Sequence, residues 1–407
     1  MAQGFEHISR GFYGLSPING IVYRFSTATL RLLGATIWRF RIKGLENLPT
    51  DEPYLLLPNH VSLLDPLWIG CPVRRGVRAM ASAGLMAVPI LGAYLKVVGC
   101  FAKKKFTKDK EAMKQLQDFY EQGFTILLYP EGNRSWNGET AQIRPGIGKL
   151  IKRLNCKVVF GRLDTAYLAQ PRWAKYPRWV PIEMTYDGPY SYSEDQTAEE
   201  ITAHVQKSLT VSPKLSGNPV TFGWRMAHGL PQYLWACPQC FAMGSLSVSP
   251  RSGDSVCCGQ CEAEWSVDVE SVLNGATTMT VAEAFHRIDD HYGPAPVADA
   301  AVHAQSGAAL QAAAGTLHRV PRGKAPNELV ASGRMEIHAD SFRVYTDGEL
   351  VWQAKLEDLR GISVEIANLL HFRVDGVLYR ITIPDESPLK WDHFLRRWRR
   401  ETVGSEH

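Results

Sequence analysis

The chain has 407 residues, 45% of them hydrophobic and 21% charged, with a formal net charge of +4. This is the profile of an ordinary globular protein and excludes a disordered or fibrous one. The length exceeds what one core organises, so two or three domains are expected.

The first fifty residues carry Arg10, Arg24, Arg31, Arg39, Arg41 and Lys43 against Glu6 and Glu46, an excess equal to that of the whole chain. Such a segment suits an anionic surface, lipid or nucleic acid. From Pro17 to Phe40 the pattern reads as a helix with Arg24 and Arg31 on one face and Val22, Leu30, Leu33 and Ile37 roughly opposite. It either packs on the domain core or lies in a membrane interface, and residues 1–40 are assigned here as an N-terminal membrane-interface helix. No secretory signal peptide is visible. The apolar uncharged run Ala79–Leu95 contains Pro89 and two glycines, and falls short of the roughly 20 residues a membrane-crossing helix needs. The expected location is the cytoplasmic face of the cell membrane, peripheral or monotopic.

Residues 41–225 alternate strand-like and helical patterns. "EPYLLLPN", "FTILLYPEG", "CKVVFGRL" and "WVPIEMTYDG" read as short buried strands, and "TKDKEAMKQLQDFYEQG" as a helix. The fold class is α/β. Within it, "NHVSLLDP" at 59–66 follows the apolar run "YLLLP". One reading is local: Ser62 and Asp65 form a capping box, with Pro66 at the first helical position. The other places His60 at a strand end with Asp65 holding one imidazole nitrogen, which makes His60 a general base.

A second constellation is "LLYPEGNRSWNGE" at 127–139. A strand runs into a loop bearing Glu131, Gly132 and Arg134, and loops at the carboxyl ends of strands in such sheets bind ligands. Arg134 suits a bidentate phosphate contact, and Glu131 is suited to take a hydroxyl or to fix Arg134. Equally, Pro-Glu-Gly-Asn is a plain turn. Between the two lies "VVGCFAKKKFTKDK", whose Lys103 and Lys105 are either a solvated face or a phosphate site.

The motifs "NHVSLLD" and "YPEGNRS", in this order with the glycine-and-lysine segment between them, resemble the glycerolipid acyltransferase family over roughly residues 40–215. The resemblance implies a sheet with flanking helices and transfer of a fatty acyl group from a thioester to the hydroxyl of a lysophospholipid. The donor expected is acyl-CoA or acyl carrier protein, and the leading acceptor is 1-acyl-glycerol-3-phosphate. A CoA-independent transacylase and a catalytically dead lipid-binding scaffold are the alternatives. By the same resemblance His60 is the base, Asp65 its orienter, and Glu131, Gly132, Arg134, Lys103 and Lys105 line the acceptor's phosphate-glycerol end. No catalytic cofactor is implied, the partners are the donor, the lysophospholipid and a membrane surface, and no nucleic acid is expected. The chain departs from the family pattern at Asn133, where threonine is usual, at Lys103–Lys105, where arginine is usual, and at Phe160, where proline is usual.

Residues 232–275 hold "CPQC" at 237–240 and "CCGQC" at 257–261. Two Cys-x-x-Cys pairs at this separation match a zinc ribbon, with Cys237, Cys240, Cys258 and Cys261 as ligands of a structural zinc and Cys257 as a bystander or a substitute for Cys258. Clustered thiols of this kind indicate a metal site in a reducing compartment better than a disulfide framework. A helix, "TVAEAFHRIDDHYG", and an Ala/Gly/Pro-rich linker fill 276–326. From 327 to 403 strands and Asp-Gly turns at 347–348 and 375–376 precede a helix, "SPLKWDHFLRRWRR". This piece resembles, more weakly, a small β-rich pleckstrin-homology-like domain. Arg396, Arg397, Arg399 and Arg400 either meet anionic headgroups or form a charged face beside Trp391, Phe394, Leu395 and Trp398.

Overall fold

A computed structural model describes residues 15–74, 76–86, 88–103, 109–292, 308–321, 326–364, 369–384 and 386–403, with side chains described as far as residue 397. The chain divides into two compact units: residues up to Met226 together with Asp268–Val272, and Ala227–Val267 together with Leu273 onward.

The first unit is built on a seven-stranded sheet of β1 (Arg41–Lys43), β2 (Leu55–Pro58), β3 (Val77–Ser82), β4 (Phe101–Lys103), β5 (Thr125–Leu127), β6 (Val158–Leu163) and β7 (Glu183–Tyr190), in the order β1-β7-β6-β2-β5-β3-β4. β2 runs parallel to both neighbours, β5 and β6. β5–β3 and β3–β4 are parallel as well, and only the β6–β7 pairing is antiparallel. All four residues of β2 are buried, because a central parallel strand is covered on both faces and carries no polar side. Its side chains alternate between two cores. Leu56 joins Trp68, Ile69, Val159, Leu168 and Tyr186 on one face. Leu55 and Leu57 join Ile126, Phe160, Ile147, Ile151, Ile201 and Val205 on the other.

The strands expected from the four apolar runs are β2, β5, β6 and β7, and the helix expected from "TKDKEAMKQLQDFYEQG" is Lys110–Glu121, capped by the Asp109 side chain on Ala112 N. β1, β3 and β4 carry no comparable apolar run. Phe160, which stands where the family has proline, is fully buried in β6 against Tyr190 and His204.

The helix expected near the N-terminus spans Pro17–Thr36, with Ser16 capping it through Asn19 N. Arg24 and Arg31 are exposed, Val22, Leu30 and Leu33 are half-buried, and Ile37 is exposed. Gly20, Tyr23 and Gly34 are buried, while Ile18, Ile21, Phe25 and Leu32 are exposed. The apolar stripe at 18, 21, 25 and 32 therefore faces outward. No helix among the described residues is long and apolar enough to cross a membrane.

In the second unit, β8 (Leu246–Val248), β9 (Ser255–Cys258), β10 (Glu264–Val267), β11 (Val272–Gly275) and β12 (Met279–Thr280) make an antiparallel sheet in sequence order. A capping box from Thr280 and Glu283 then starts the helix Val281–His291. The remaining strands are β13 (Leu310–Val320), β14 (Glu328–Ile337), β15 (Ser341–Thr346), β16 (Glu349–Lys355), β17 (Arg360–Val364), β18 (Leu370–Val374) and β19 (Val377–Thr382), ordered β16-β15-β14-β13-β19-β18-β17. The helix Pro388–Val403 follows.

Both Asp-Gly turns fall where expected: Asp347 and Gly348 join β15 to β16, Asp375 and Gly376 join β18 to β19, and all four have positive φ. The linker expectation needs correction. Leu310–Val320, which falls within the expected Ala-rich linker, is the central strand of this sheet, between β14 and β19. Its small side chains suit that place: a Cβ on Gly315 would lie 2.7 Å from Met335 Sδ. The β-rich piece thus begins before residue 327. Arg396 and Arg397 are tied down within the unit, Arg396 to Asp392 and Ile362 O, and Arg397 to Asp289 O and His393. The side chains of Trp398, Arg399 and Arg400 lie outside the described residues.

Helices Gly146–Leu154 and Ala198–Leu209 pack closely at Gly148, where a Cβ would lie 1.9 Å from Ala198 O. Gly148→Val should therefore lower stability by roughly 1–3 kcal/mol through overpacking, read as a lower urea midpoint with an unchanged slope.

Candidate active site

β2 ends at Pro58, and the chain turns at Asn59 and His60 before the short helix Asp65–Gly70. Asn59 anchors the turn to β6, its Oδ1 accepting from Leu163 N at 2.7 Å. Asp65 is fully buried. Its Oδ2 accepts from Val61 N at 2.6 Å and Ser62 N at 2.8 Å, and lies 2.9 Å from His60 Nδ1. Only half of the capping box of Ser62 and Asp65 forms: Asp65 accepts from Ser62 N, but Ser62 Oγ accepts from Leu64 N, and the helix's N-cap is Leu64, without a side-chain cap. The carboxylate serves the turn and the imidazole. That fixes the ring with Nε2 as its remaining nitrogen.

The loop after β5 holds the same histidine from behind. Glu131 Oε1 accepts from His60 N at 2.6 Å, and Ser135 N donates to His60 O at 2.8 Å. The other carboxylate oxygen of Glu131 accepts from Ala141 N at 2.8 Å. Glu131 is 3% exposed, and both of its carboxylate oxygens are engaged by backbone N–H groups, one of them that of His60. Burial pushes its carboxyl up to about 8, against the two backbone N–H groups that favour the charged form. Tyr129 stacks on the His60 ring with centroids 3.9 Å apart.

Burial holds the His60 imidazole below its ordinary 6.5, against the upward pull of Asp65, and the cations Arg134 and Arg172 lower it further. Arg172 was not legible as a site residue. Its Nη1 donates to Arg134 O at 2.7 Å, and its guanidinium lies 3.9 Å from the Trp136 ring centroid. Arg144 was missed as well. Its Nε approaches Glu131 O at 3.5 Å, in space left by Gly132, whose φ is +77° and whose missing Cβ would lie 3.1 Å from that nitrogen. Lys103 ends β4, and its ammonium is pushed below its ordinary value by burial and by Arg144. Lys105 lies outside the described residues.

A buried carboxylate, a neutral imidazole and neighbouring guanidinia at the parallel edge of an α/β sheet can remove a proton beside an anion. The family model described as acyltransferase matches residues 39–160. That segment, about a third of the chain, is similar to acyltransferases. Over 125 residues the chain is 25% identical to the chloroplastic 1-acyl-sn-glycerol-3-phosphate acyltransferase of Arabidopsis thaliana, covering 30% of this chain and 35% of that one. Over 149 residues it is 29% identical to the enzyme of that name from Saccharomyces cerevisiae, covering 35% and 48%. The chain thus spans about a third to a half of the length of these relatives. The crystal structure of a 1-acyl-sn-glycerophosphate acyltransferase from Thermotoga maritima is 18% identical and covers 51% of this chain and 92% of that one, with a TM-score of 0.39.

Outside the segment that matches the family model, the Sγ atoms of Cys237, Cys240, Cys258 and Cys261 all lie within 4.8 Å of one another. Cys237 and Cys261 are 3.8 Å apart, and Cys240 and Cys258 3.7 Å. The choice left open between Cys257 and Cys258 falls to Cys258, because Cys257 turns to Ser247 instead. These four thiols can hold one ion.

His60 gives a direct test by imidazole NMR. His60 should titrate below its ordinary 6.5. Arg172→Gln should raise the midpoint, since a repelling cation is gone, and Asp65→Asn should lower it. Opposite signs would contradict the geometry.

Proposed function

We propose that the chain transfers a fatty acyl group from an acyl thioester, acyl-CoA or acyl carrier protein, to the hydroxyl of a lysophospholipid, with 1-acyl-glycerol-3-phosphate as the first candidate. The observation that carries this reading is His60, held at Nδ1 by Asp65 and flanked by Arg134 and Arg172. His60 Nε2 takes the proton of the acceptor hydroxyl as its oxygen attacks the thioester carbonyl carbon. The carbon–sulfur bond breaks when the tetrahedral intermediate collapses, and the proton on His60 passes to the departing thiolate. A neutral imidazole near physiological pH is what a base for this step needs. The guanidinia of Arg134 and Arg172, both close enough to act on His60, bring to the site the charge and the fork chemistry that a phosphate takes and lysine cannot supply. This pairing supports a phosphate-bearing acceptor despite the lysines at 103–105.

The exposed stripe Ile18, Ile21, Phe25 and Leu32 supports a helix lying in a membrane interface, peripheral or monotopic at the cytoplasmic face. The four-cysteine cluster supports a structural zinc ribbon: Zn–S bonds of about 2.3 Å imply sulfur separations of about 3.8 Å in a tetrahedron. Four thiolates leave no open position for a substrate. The seven-stranded order with a closing helix supports the pleckstrin-homology-like reading of the C-terminal piece.

The deciding assay is thiol release from acyl-CoA or acyl carrier protein with a panel of lysophospholipids. His60→Ala should lower acceptor-dependent release by roughly 10²–10⁴-fold, and Arg172→Ala should raise KM for phosphomonoester acceptors more than for lysophosphatidylcholine. Thiol release by wild-type protein that needs no acceptor, or none with either donor, would overturn the reading. For the metal, one equivalent of zinc per chain is expected. Cys258→Ser should lose it and Cys257→Ser retain it, as measured by metal analysis of purified protein.

A further inference from the structure

The segment 219–225, "PVTFGWR", has no part in the chemistry above. Its backbone pairs with Trp179: Trp179 N donates to Phe222 O at 2.8 Å, and Phe222 N to Trp179 O at 3.1 Å. Extended backbone sends alternate side chains to opposite sides. Val220, Phe222 and Trp224 accordingly share the outer side, 74%, 63% and 52% exposed. Trp179 and Ile37 extend this surface, and both are also exposed. They are fixed together, Trp179 Nε1 donating to Ile37 O at 2.7 Å. Arg39 ties the three segments, donating to Val220 O at 2.8 Å while its guanidinium lies 4.0 Å from the Trp179 ring centroid. Tyr176 packs on Trp224, Lys175 reaches the Tyr176 ring, and Arg225 reaches the Trp224 ring.

A cluster of exposed apolar side chains this dense marks a contact surface. Its charge says what kind. The cations beside these rings are Arg39, Lys175 and Arg225, and the segments 37–43, 170–180 and 213–226 that meet here contain no acidic residue. Tryptophan and tyrosine edged by cations is the composition that sits at the level of lipid headgroups. The patch also adjoins in sequence the helix Pro17–Thr36, whose outward stripe is apolar.

We propose that Val220, Phe222 and Trp224, with Ile37 and Trp179, form a second interfacial contact that inserts among the headgroups of an anionic bilayer. This rests on the membrane reading of the helix and deepens it. One amphipathic helix on a bilayer leaves the domain free to turn about the helix axis, whereas a helix and a strap together fix how the domain stands. Lys175 and Arg225 at the rim meet the lipid phosphates, while the rings fill the interface beneath them.

The test is co-sedimentation of the full chain with sucrose-loaded vesicles of phosphatidylcholine alone and of phosphatidylcholine with phosphatidylglycerol. Wild-type protein should bind the anionic vesicles more tightly. Phe222→Ser with Trp224→Ser should weaken that binding by about tenfold or more, with the thermal midpoint and acyl transfer to detergent-dispersed acceptor unchanged. Lys175→Glu with Arg225→Glu, which removes no buried contact, should abolish the preference for phosphatidylglycerol. If both strap variants bind as wild type does while Ile21→Ser with Phe25→Ser releases the protein, the strap proposal is overturned and the helix reading stands. Wild-type protein that binds neither vesicle overturns both.

Discussion

The site depends on two backbone hydrogen bonds to one residue. His60 gives its N–H to Glu131 and receives the N–H of Ser135, so the loop after β5 clamps the turn after β2 on both of its polar groups. Neither bond involves the imidazole. They fix where the residue's Cα stands, and Asp65 then fixes how the ring is turned. Position and orientation are thus supplied by different motifs. The two motifs can meet only because β2 and β5 are adjacent and parallel, which brings both loops out at the same edge of the sheet.

That adjacency is in turn a matter of packing. Leu55 and Leu57 serve one core and Leu56 the other, so a one-residue slip of β2 would exchange its side chains between faces that are already filled. The register that buries these leucines is the register that delivers His60 to Glu131. Stability and site geometry are set by the same alternation, with little freedom to vary one without the other.

Much of this is legible in the sequence, and the rest is hidden for physical reasons. The apolar runs reveal β2, β5 and β6 because nearly all their residues are buried on both faces, and β7 through its better-buried first half, while β1 and β4 are three-residue strands at the sheet's edges with no periodicity to read. His60 and Asp65 stand out because their spacing is local. Arg172 cannot, since it reaches Arg134 O across 38 residues, and nothing in "QPRWAK" distinguishes that arginine from a solvated one. Glu131 stands out as a residue, but its two backbone donors, His60 N and Ala141 N, are 71 and 10 residues away and not legible in the sequence. The Ala-rich stretch before residue 320 reads as linker because composition alone cannot distinguish a flexible segment from a strand crowded by neighbours. Gly315 against Met335 is such a crowded place.

The electrostatics around His60 carry a cost that the fold must absorb. Glu131 is held up to about 8 from an ordinary 4.5, so between those values the folded state keeps a proton that the unfolded chain releases. Stability at this residue therefore falls as pH rises through that window. His60 is held below 6.5; as pH falls below 6.5 the unfolded chain takes up a proton that the folded one resists, and stability falls again. Both groups therefore make the folded state prefer neutral side chains, and neither would do so on the surface. A structural core gains nothing from an imidazole kept unprotonated beside two guanidinia. On the proposed reading a base that accepts a proton next to an anionic substrate does, because the anion, once bound, would offset the cations and let the imidazolium form when it is needed.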